Sequence, residues 1–159
     1  MILVLVDHDR GTLDPLSTRA LTAARKIDSD IQAVVIGANG ASVVGEVGKF
    51  GAKVLHVANN PELNDYAPMA TGRALAQLAD QLKPAAVIAA GSPRGNEQLA
   101  HLSAIKDLPM AAECTSITLG NPHKVVRARW GGNLLEDANV HADLLIASVD
   151  RKSTRLNSS

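Results

Sequence analysis

The chain has 159 residues, of which 46% are apolar and 20% are charged. This length and composition are typical of a soluble globular domain with a buried core, and they exclude disorder along most of the chain. Lysine and arginine number 16, as do aspartate and glutamate, so the net charge is zero and a globally basic nucleic-acid binder is excluded. The single cysteine excludes an intramolecular disulfide framework and a zinc site built from several cysteines.

Neither a secretory leader nor a membrane-spanning helix is predicted. The apolar stretch at residues 1–6 stops at Asp7, and it lacks a basic leader and a small-residue cleavage site. No apolar run approaches the roughly 20 residues that a transmembrane helix needs. We therefore expect a cytoplasmic protein that is not an integral membrane protein.

Short apolar runs alternate with helical patterns from the start of the chain to about residue 105. The runs, rich in valine, isoleucine or alanine, lie at 2–6, 31–36, 53–57 and 85–90. The first and the last lack polar alternation, as is typical of strands buried on both faces of a parallel sheet. Helices are predicted over 15–27, 41–50, 70–82 and 93–105. Asp14-Pro15 and Ser92-Pro93 combine a capping side chain with a proline that suits the first helical position.

The last third of the chain has a different pattern. Strands are predicted at 115–119, 125–130 and 144–149, with breaks at Asn121-Pro122 and Gly131-Gly132. Alternating strands and helices imply a parallel sheet covered on both faces. We therefore predict an α/β fold, a three-layer α/β/α arrangement whose mainly parallel sheet has an antiparallel extension in the second half. Residues 1–149 form the predicted domain, and the polar residues 150–159 form a disordered or non-native tail.

The loop after the fourth apolar run is a weak candidate for binding an anion or a nucleotide. Gly91, Ser92, Arg94 and Gly95 combine two glycines, a hydroxyl and a cation at a predicted helix start, where free amides favour negative charge. Loops at the carboxyl ends of parallel strands are also where ligands bind in such sheets. The loop lacks both the Gly-Lys-Ser/Thr ending and the GxGxxG spacing of phosphate-binding motifs. A tight turn with a capped helix is the alternative.

Two other clusters favour structural interpretations. Asp7-His8-Asp9 suggests a metal site, but adjacent residues of an extended segment point in different directions, so a polar loop is favoured and no metal is expected. Cys114 needs a neighbouring base to act as a nucleophile, and no histidine is placed beside it by the pattern. We expect Cys114 to be a small buried residue and expect no catalytic residue.

A third cluster is the candidate partner interface. It consists of Arg127, Arg129, Trp130, Gly131 and Gly132. Arginine and tryptophan are enriched in the residues that dominate the binding energy of protein interfaces. A solvated strand with one anchoring tryptophan is the alternative.

Four passages, taken in order and spacing, resemble the amino-terminal domain of the electron-transfer flavoprotein alpha subunit. They are Leu3-Val4-Leu5-Val6-Asp7-His8 with Gly11 and the 16–24 helix, residues 87–100, Leu108-Pro109-Met110-Ala111-Ala112-Glu113-Cys114-Thr115, and Val126-Arg127-Ala128-Arg129-Trp130-Gly131-Gly132-Asn133. The resemblance covers residues 1–149. It implies a fold of the adenine-nucleotide alpha-hydrolase type and a component of an electron carrier that has no catalysis of its own.

The resemblance also implies the partners and the cofactor. In the full-length family the alpha subunit pairs with a beta subunit and serves dehydrogenases through that complex, and FAD lies mainly on a second, carboxyl-terminal domain. That domain should follow residue 149, where this chain turns polar. We therefore expect a truncated chain that docks a beta subunit and binds no cofactor alone. A docking surface left uncovered predicts possible homo-oligomers in isolation.

An alternative function is a stand-alone adenine-nucleotide-binding module, similar in architecture to universal stress proteins. It would use Asp7, at the end of the first strand, and the loop from Gly91 to Gly95. Equilibrium binding of AMP or ATP separates this alternative from the docking domain.

Overall fold

A computed structural model of the chain describes residues 1–150. Ten strands and four α-helices are found within these residues. The strands are β1 (Ile2–Val6), β2 (His8–Asp9), β3 (Thr12–Leu13), β4 (Ile31–Ile36), β5 (Ala52–Ala58), β6 (Ala86–Ala90), β7 (Met110–Thr118), β8 (His123–Arg129), β9 (Leu134–Val140) and β10 (Leu145–Val149). The helices are α1 (Pro15–Ile27), α2 (Val44–Lys49), α3 (Pro68–Leu82) and α4 (Pro93–Lys106).

Eight strands form one sheet in the order β5-β4-β1-β6-β10-β7-β8-β9. The pairings from β5 to β7 are all parallel, whereas β7-β8 and β8-β9 are antiparallel. Strands β2 and β3 form a separate small hairpin. The predicted parallel core with an antiparallel extension is confirmed.

Helices cover both faces of the sheet, because the central strands are apolar on both. In β1, Ile2, Val4 and Val6 pack toward α1 and α2, while Leu3 and Leu5 pack toward α3 and α4. Burying each such side chain stabilises the fold by about 1.5–3 kcal/mol. The three-layer α/β/α prediction is therefore confirmed.

The two predicted capping signals are present as hydrogen bonds. Asp14 Oδ1 accepts the Leu16 N–H at 2.8 Å, and Ser92 Oγ accepts the Gly95 N–H at 3.0 Å. Such caps each stabilise a helix by about 1 kcal/mol, since they satisfy amides that lack an intrahelical partner. Proline follows each cap.

The strand predicted at 144–149 was wrongly placed with the extension. As β10 it lies between β6 and β7 and is parallel to both. All five of its residues are buried. A fully apolar run of this kind requires cover on both faces, which the parallel core supplies and the extension does not.

Three further boundaries differ from the sequence prediction. Strand β9 was not predicted at all, and β7 begins earlier than expected, at Met110. Strand β8 ends at Arg129, because Trp130 takes a left-handed φ of 55° and opens a 3-10 turn. The helix predicted over 41–50 is a 3-10 turn (Gly40–Val43) followed by α2. Of the predicted tail, residues 151–159 lie outside the described residues, and the boundary at 149 stays a prediction.

Candidate functional site

The carboxyl ends of β1 and β6 meet at the point where the sheet order reverses. From β1 the chain proceeds to β4 and β5 on one side, and then crosses to β6 on the other. A crevice forms at such a reversal in open α/β sheets, and it is the usual position of their ligands. Here the crevice has a volume of about 220 Å³.

Arg94 spans this crevice. Its Nε lies 3.3 Å from Asp7 Oδ2, and its guanidinium lies 4.3 Å from the centroid of the Tyr66 ring. Burial raises the pKa of the Asp7 carboxyl above its ordinary value, and the positive charge of Arg94 opposes that rise only in part. Arg94 therefore serves as an internal counter-ion at the position where an anion was predicted.

Two buried polar side chains also line the crevice. Gln98 on α4 is 4% exposed and Thr71 on α3 is 2% exposed. Polar side chains that line a crevice in this way are able to bind water or a small polar ligand.

The structure divides the four residues of the predicted anion loop. Arg94 faces the crevice, whereas Gly91 lines a different cleft. Ser92 and Gly95 are joined in the helix cap, and a Cβ at position 95 would lie 2.1 Å from the Ala90 carbonyl oxygen. The glycine at 95 is thus required by close packing of the loop on β6.

A second, larger cleft lies beside the carboxyl ends of β6 and β7. Its volume is about 500 Å³, and it is lined by Gly91, Pro93, Asn96, Ala112, Glu113, Arg127, Ala128, Arg129, Trp130, Gly131, Gly132 and Asp150. All five residues of the predicted partner interface are among them. The structure therefore brings Gly91 and this interface cluster together across one cleft, which the sequence did not predict.

Both arginines of the cleft are held by one carboxylate. Arg127 Nη1 lies 3.2 Å from Glu136 Oε1, and Arg129 Nη1 lies 3.4 Å from Glu136 Oε2. Arg127 also donates from Nε to the Ala112 carbonyl oxygen at 2.9 Å. The cross-strand pairing of Arg127 with Glu136 on β9 produces this arrangement. The guanidinium groups are thereby fixed against the antiparallel strands.

Large apolar side chains are exposed next to the cleft. Trp130 is 79% exposed, Leu134 is 55% exposed and Leu135 is 64% exposed. They follow one another around the turn from β8 to β9, and β9 is an edge strand. We refer to Trp130, Leu134 and Leu135 as the Trp130 patch. Large apolar side chains exposed close together along the chain are typical of interaction sites.

The two remaining sequence candidates have structural roles. His8 Nδ1 accepts the Gly11 N–H at 3.2 Å, as in a closed polar loop, and no group of residues able to hold a metal is found within residues 1–150. Cys114 is buried and its thiol donates to the Ala111 carbonyl oxygen at 3.5 Å. Burial raises the pKa of the Cys114 thiol to about 12, so the reactive thiolate is strongly disfavoured.

Glu113, Tyr66 and Gln98 were not identified from sequence as site residues. Glu113 lines the larger cleft, while Tyr66 and Gln98 line the crevice. The scarcity of aromatic residues was a usable signal for Tyr66, since it is the only tyrosine in the chain. Glu113 and Gln98 carry no sequence pattern that separates them from surface residues.

A dinucleotide such as the FAD implied by the resemblance does not fit the crevice. Ligand pockets for molecules of drug size measure about 300–1,000 Å³, whereas this crevice measures about 220 Å³ and is spanned by Arg94. The Gly95 amide, which a pyrophosphate at the start of α4 would need, is already donated to Ser92. The size and the occupied amide of the crevice therefore do not suit FAD.

No helix within residues 1–150 is long and apolar enough to cross a membrane.

A sequence model of the family described as "Electron transfer flavoprotein domain" matches residues 2–157.

Curated relatives align with most of this chain. The chain is 24% identical over 140 residues to the "Electron transfer flavoprotein subunit alpha" of Thermoanaerobacterium thermosaccharolyticum, which covers 84% of this chain and 42% of the relative. It is 30% identical over 149 residues to the protein of the same name in Mycobacterium leprae. That alignment covers 92% of this chain and 46% of the relative. The "Lactate dehydrogenase (NAD(+),ferredoxin) subunit LctC" of Acetobacterium woodii is 24% identical to this chain over 140 residues. That alignment covers 84% of this chain and 34% of the relative. The chain thus spans less than half the length of these relatives.

Proposed function

The chain belongs to the electron transfer flavoprotein domain family, and from this we propose that it is the partner-docking domain of an electron transfer flavoprotein alpha subunit. Its partner is the beta subunit, and through that complex it supports electron transfer between dehydrogenases and an acceptor. FAD is held mainly by a part of the alpha subunit other than the described residues. The observation that carries the proposal is the Trp130 patch.

The composition of the patch favours a protein partner. Tryptophan is among the residues most enriched in interface hot spots, and here it is exposed, shares the cleft with two arginines and is followed closely in sequence by two exposed leucines. Because Glu136 already orders both guanidinium groups, little side-chain entropy remains to be lost when a partner binds. Within residues 1–150 no strand pairs with the outer edge of β9, so this edge adds backbone hydrogen-bonding groups next to the turn that carries Trp130.

The proposed role does not include catalysis by this chain. Cys114, which was considered as a nucleophile, is buried with a raised thiol pKa, and the interface arginines are engaged by Glu136. The domain acts by positioning the complex through which electrons pass.

The proposal is tested by complex formation with the beta subunit of the same organism. Binding is measured by calorimetry for the unaltered chain, for Trp130→Ala and for Val54→Ala. Val54 is 42% exposed on β5, the opposite edge of the sheet, so it is a matched apolar control. We expect Trp130→Ala to weaken binding about tenfold or more, and Val54→Ala to leave it unchanged. Equal binding by all three chains would contradict the proposal.

The absorbance spectrum of the purified complex tests the cofactor part of the proposal. The chain is mixed with the beta subunit and FAD and is then purified. A colourless complex is expected if flavin needs a further part of the alpha subunit. A yellow complex would show instead that this chain and the beta subunit build a flavin site between them.

An uncovered Trp130 patch is also expected to cause weak self-association of the isolated chain. Elution volume on a sizing column should then depend on protein concentration, and Trp130→Ala should remove that dependence. A monomer at every concentration would contradict this part of the proposal.

The crevice supports a second candidate function, the binding of an adenine nucleotide. The specific observation is that two buried polar side chains, Gln98 and Thr71, line it together with Arg94. Displacement of Arg94 from Asp7 would free a cation for a phosphate. Calorimetry with AMP and ATP tests this candidate, since Arg94→Ala should abolish any binding. An unaltered chain that binds neither nucleotide at millimolar concentration would remove it.

A further inference from the structure

Asn39 and Gly40 form the only asparagine-glycine dipeptide in the sequence, and they lie in the loop that follows β4. Asparagine is one of the residues that are chemically labile in proteins. The damage begins when the backbone nitrogen of the next residue attacks the carbonyl carbon of the asparagine side chain. Glycine presents that nitrogen without a Cβ to hinder the attack. The dipeptide is therefore a candidate site of chemical modification, independent of the docking surface.

The structure exposes the asparagine of this pair and requires the glycine. Asn39 is exposed and has a left-handed φ of 67°, a conformation that asparagine adopts more readily than most residues. Gly40 is buried, and a Cβ at this position would lie 2.8 Å from Val35 Cγ1. Packing against β4 thus selects the one following residue that makes Asn39 labile.

The backbone nitrogen of Gly40 is weakly held. Its N–H donates to the Gly37 carbonyl oxygen at 3.4 Å, which is longer than the about 2.7–3.2 Å usual for such bonds. The attack requires this nitrogen to lose its proton, and the resulting negative charge is shared with the Asn39 carbonyl oxygen. That oxygen accepts two hydrogen bonds from Ser42, from Oγ at 2.6 Å and from the N–H at 3.2 Å. Donors placed where negative charge develops stabilise it, so Ser42 favours the reactive form of Gly40.

We propose that Asn39 is a site of deamidation in the folded protein. The Gly40 nitrogen loses its proton to hydroxide and bonds to Asn39 Cγ. The Cγ–Nδ2 bond then breaks, and the leaving nitrogen takes a proton from water and departs as ammonia. Water opens the resulting succinimide at either of its carbonyl carbons, which gives aspartate or isoaspartate at position 39. The product carries one more negative charge in a chain whose net charge is zero, next to Gly37 and Ala38 on the rim of the crevice.

Incubation of the folded chain at mildly alkaline pH, followed by proteolysis and mass spectrometry, tests the proposal. Asn133 is the internal control, since it is also exposed in a turn but precedes a leucine. We expect Asn39 to lose its amide at least about tenfold faster than Asn133. The variant Asn39→Gly, which suits the left-handed φ, should yield no acidic form on anion exchange. An Asn39 that keeps its amide in the folded chain, while a synthetic peptide of residues 36–43 loses it under the same conditions, would overturn the proposal.

Ser42→Ala tests the assistance assigned to the Ser42 hydroxyl. Loss of this donor should slow the deamidation of Asn39 by about tenfold, with an unchanged circular dichroism spectrum. Deamidation of Ser42→Ala at the rate of the unaltered chain, or faster, would overturn the assistance by Ser42. These measurements use the chain alone, so their results do not depend on whether the beta subunit binds.

Discussion

Arg94 on the first turn of α4 is paired with Asp7 at the end of β1, with 3.3 Å between Arg94 Nε and Asp7 Oδ2. The guanidinium also lies over Tyr66, which belongs to the loop before α3. One side chain thereby connects three segments that converge at the reversal point of the sheet. The crevice beneath it is small, and for that reason we propose the larger cleft and the Trp130 patch as the docking surface.

Asp7→Asn is expected to make the stability of the protein less dependent on pH. Because burial raises the pKa of Asp7 in the folded state, the folded protein binds its proton more tightly than the unfolded chain does. Stability then falls as the pH rises above the ordinary value of 3.8, and this loss is absent from the asparagine variant. The lost ion pair contributes little, since the Arg94 side chain is largely solvated.

Urea unfolding between pH 4 and pH 7 measures this effect. The advantage of Asp7→Asn over the unaltered chain should grow as the pH rises through this range. Asp9→Asn is the control, because the Asp9 side chain is 95% exposed. An Asp7→Asn chain that is less stable than the unaltered chain at pH 7 would show that the ion pair outweighs the cost of burial.

Cys114 should be unreactive in the folded protein. Its thiol pKa of about 12 and its burial leave almost no accessible thiolate at pH 8. We expect iodoacetamide to modify the chain in urea but not in native buffer, as read by mass spectrometry. Modification of the folded chain at the rate of a free cysteine would instead support the hypothesis that Cys114 acts as a nucleophile.

Gly72 is expected to be essential for the packing of α3 against α4. A Cβ at position 72 would lie 2.7 Å from the Cβ of His101 and 3.1 Å from its backbone carbon. Gly72→Ala should therefore lower the free energy of unfolding by about 1–3 kcal/mol, since the neighbouring backbone must move.

Gly45 provides the matched control for that substitution. It also lies in a helix, but nothing is within 4 Å of a Cβ built there. Gly45→Ala should raise the free energy of unfolding by about 0.5–1 kcal/mol, because alanine loses less backbone entropy in a helix. Thermal unfolding of both variants measures the two effects. A Gly72→Ala chain as stable as Gly45→Ala would mean that α3 and α4 are less closely packed than the structure shows.

The parts of the fold that were predictable from sequence are those in which local pattern and tertiary environment agree. The uninterrupted run of β1 indicated a strand buried on both faces, and Asp14-Pro15 marked the start of α1. Strand β10 has an equally uninterrupted run, but its neighbours in sequence suggested the antiparallel extension. Only the long-range pairing with β6 and β7 determines its true position.

The site was predictable in part for the same reason. The Arg127 and Trp130 cluster was identified from residue type, whereas β9 was missed because Leu134-Leu135-Glu136-Asp137 has no simple alternation. The position of Glu113 in the larger cleft depends on a left-handed backbone, a serine on β10 and a glycine after β6. Ser148 and Gly91 are distant in sequence from Glu113, so no local pattern predicts these two contacts.

Hydrogen exchange of the chain with and without the beta subunit tests the docking surface most directly. Backbone amides at 127–136, which include the turn after β8 and the exposed edge of β9, should exchange more slowly in the complex. Amides of β5, on the opposite edge, should be unaffected. Protection confined to β5, or to the loops at 59–67 and 91–95 around the crevice, would contradict docking through the Trp130 patch.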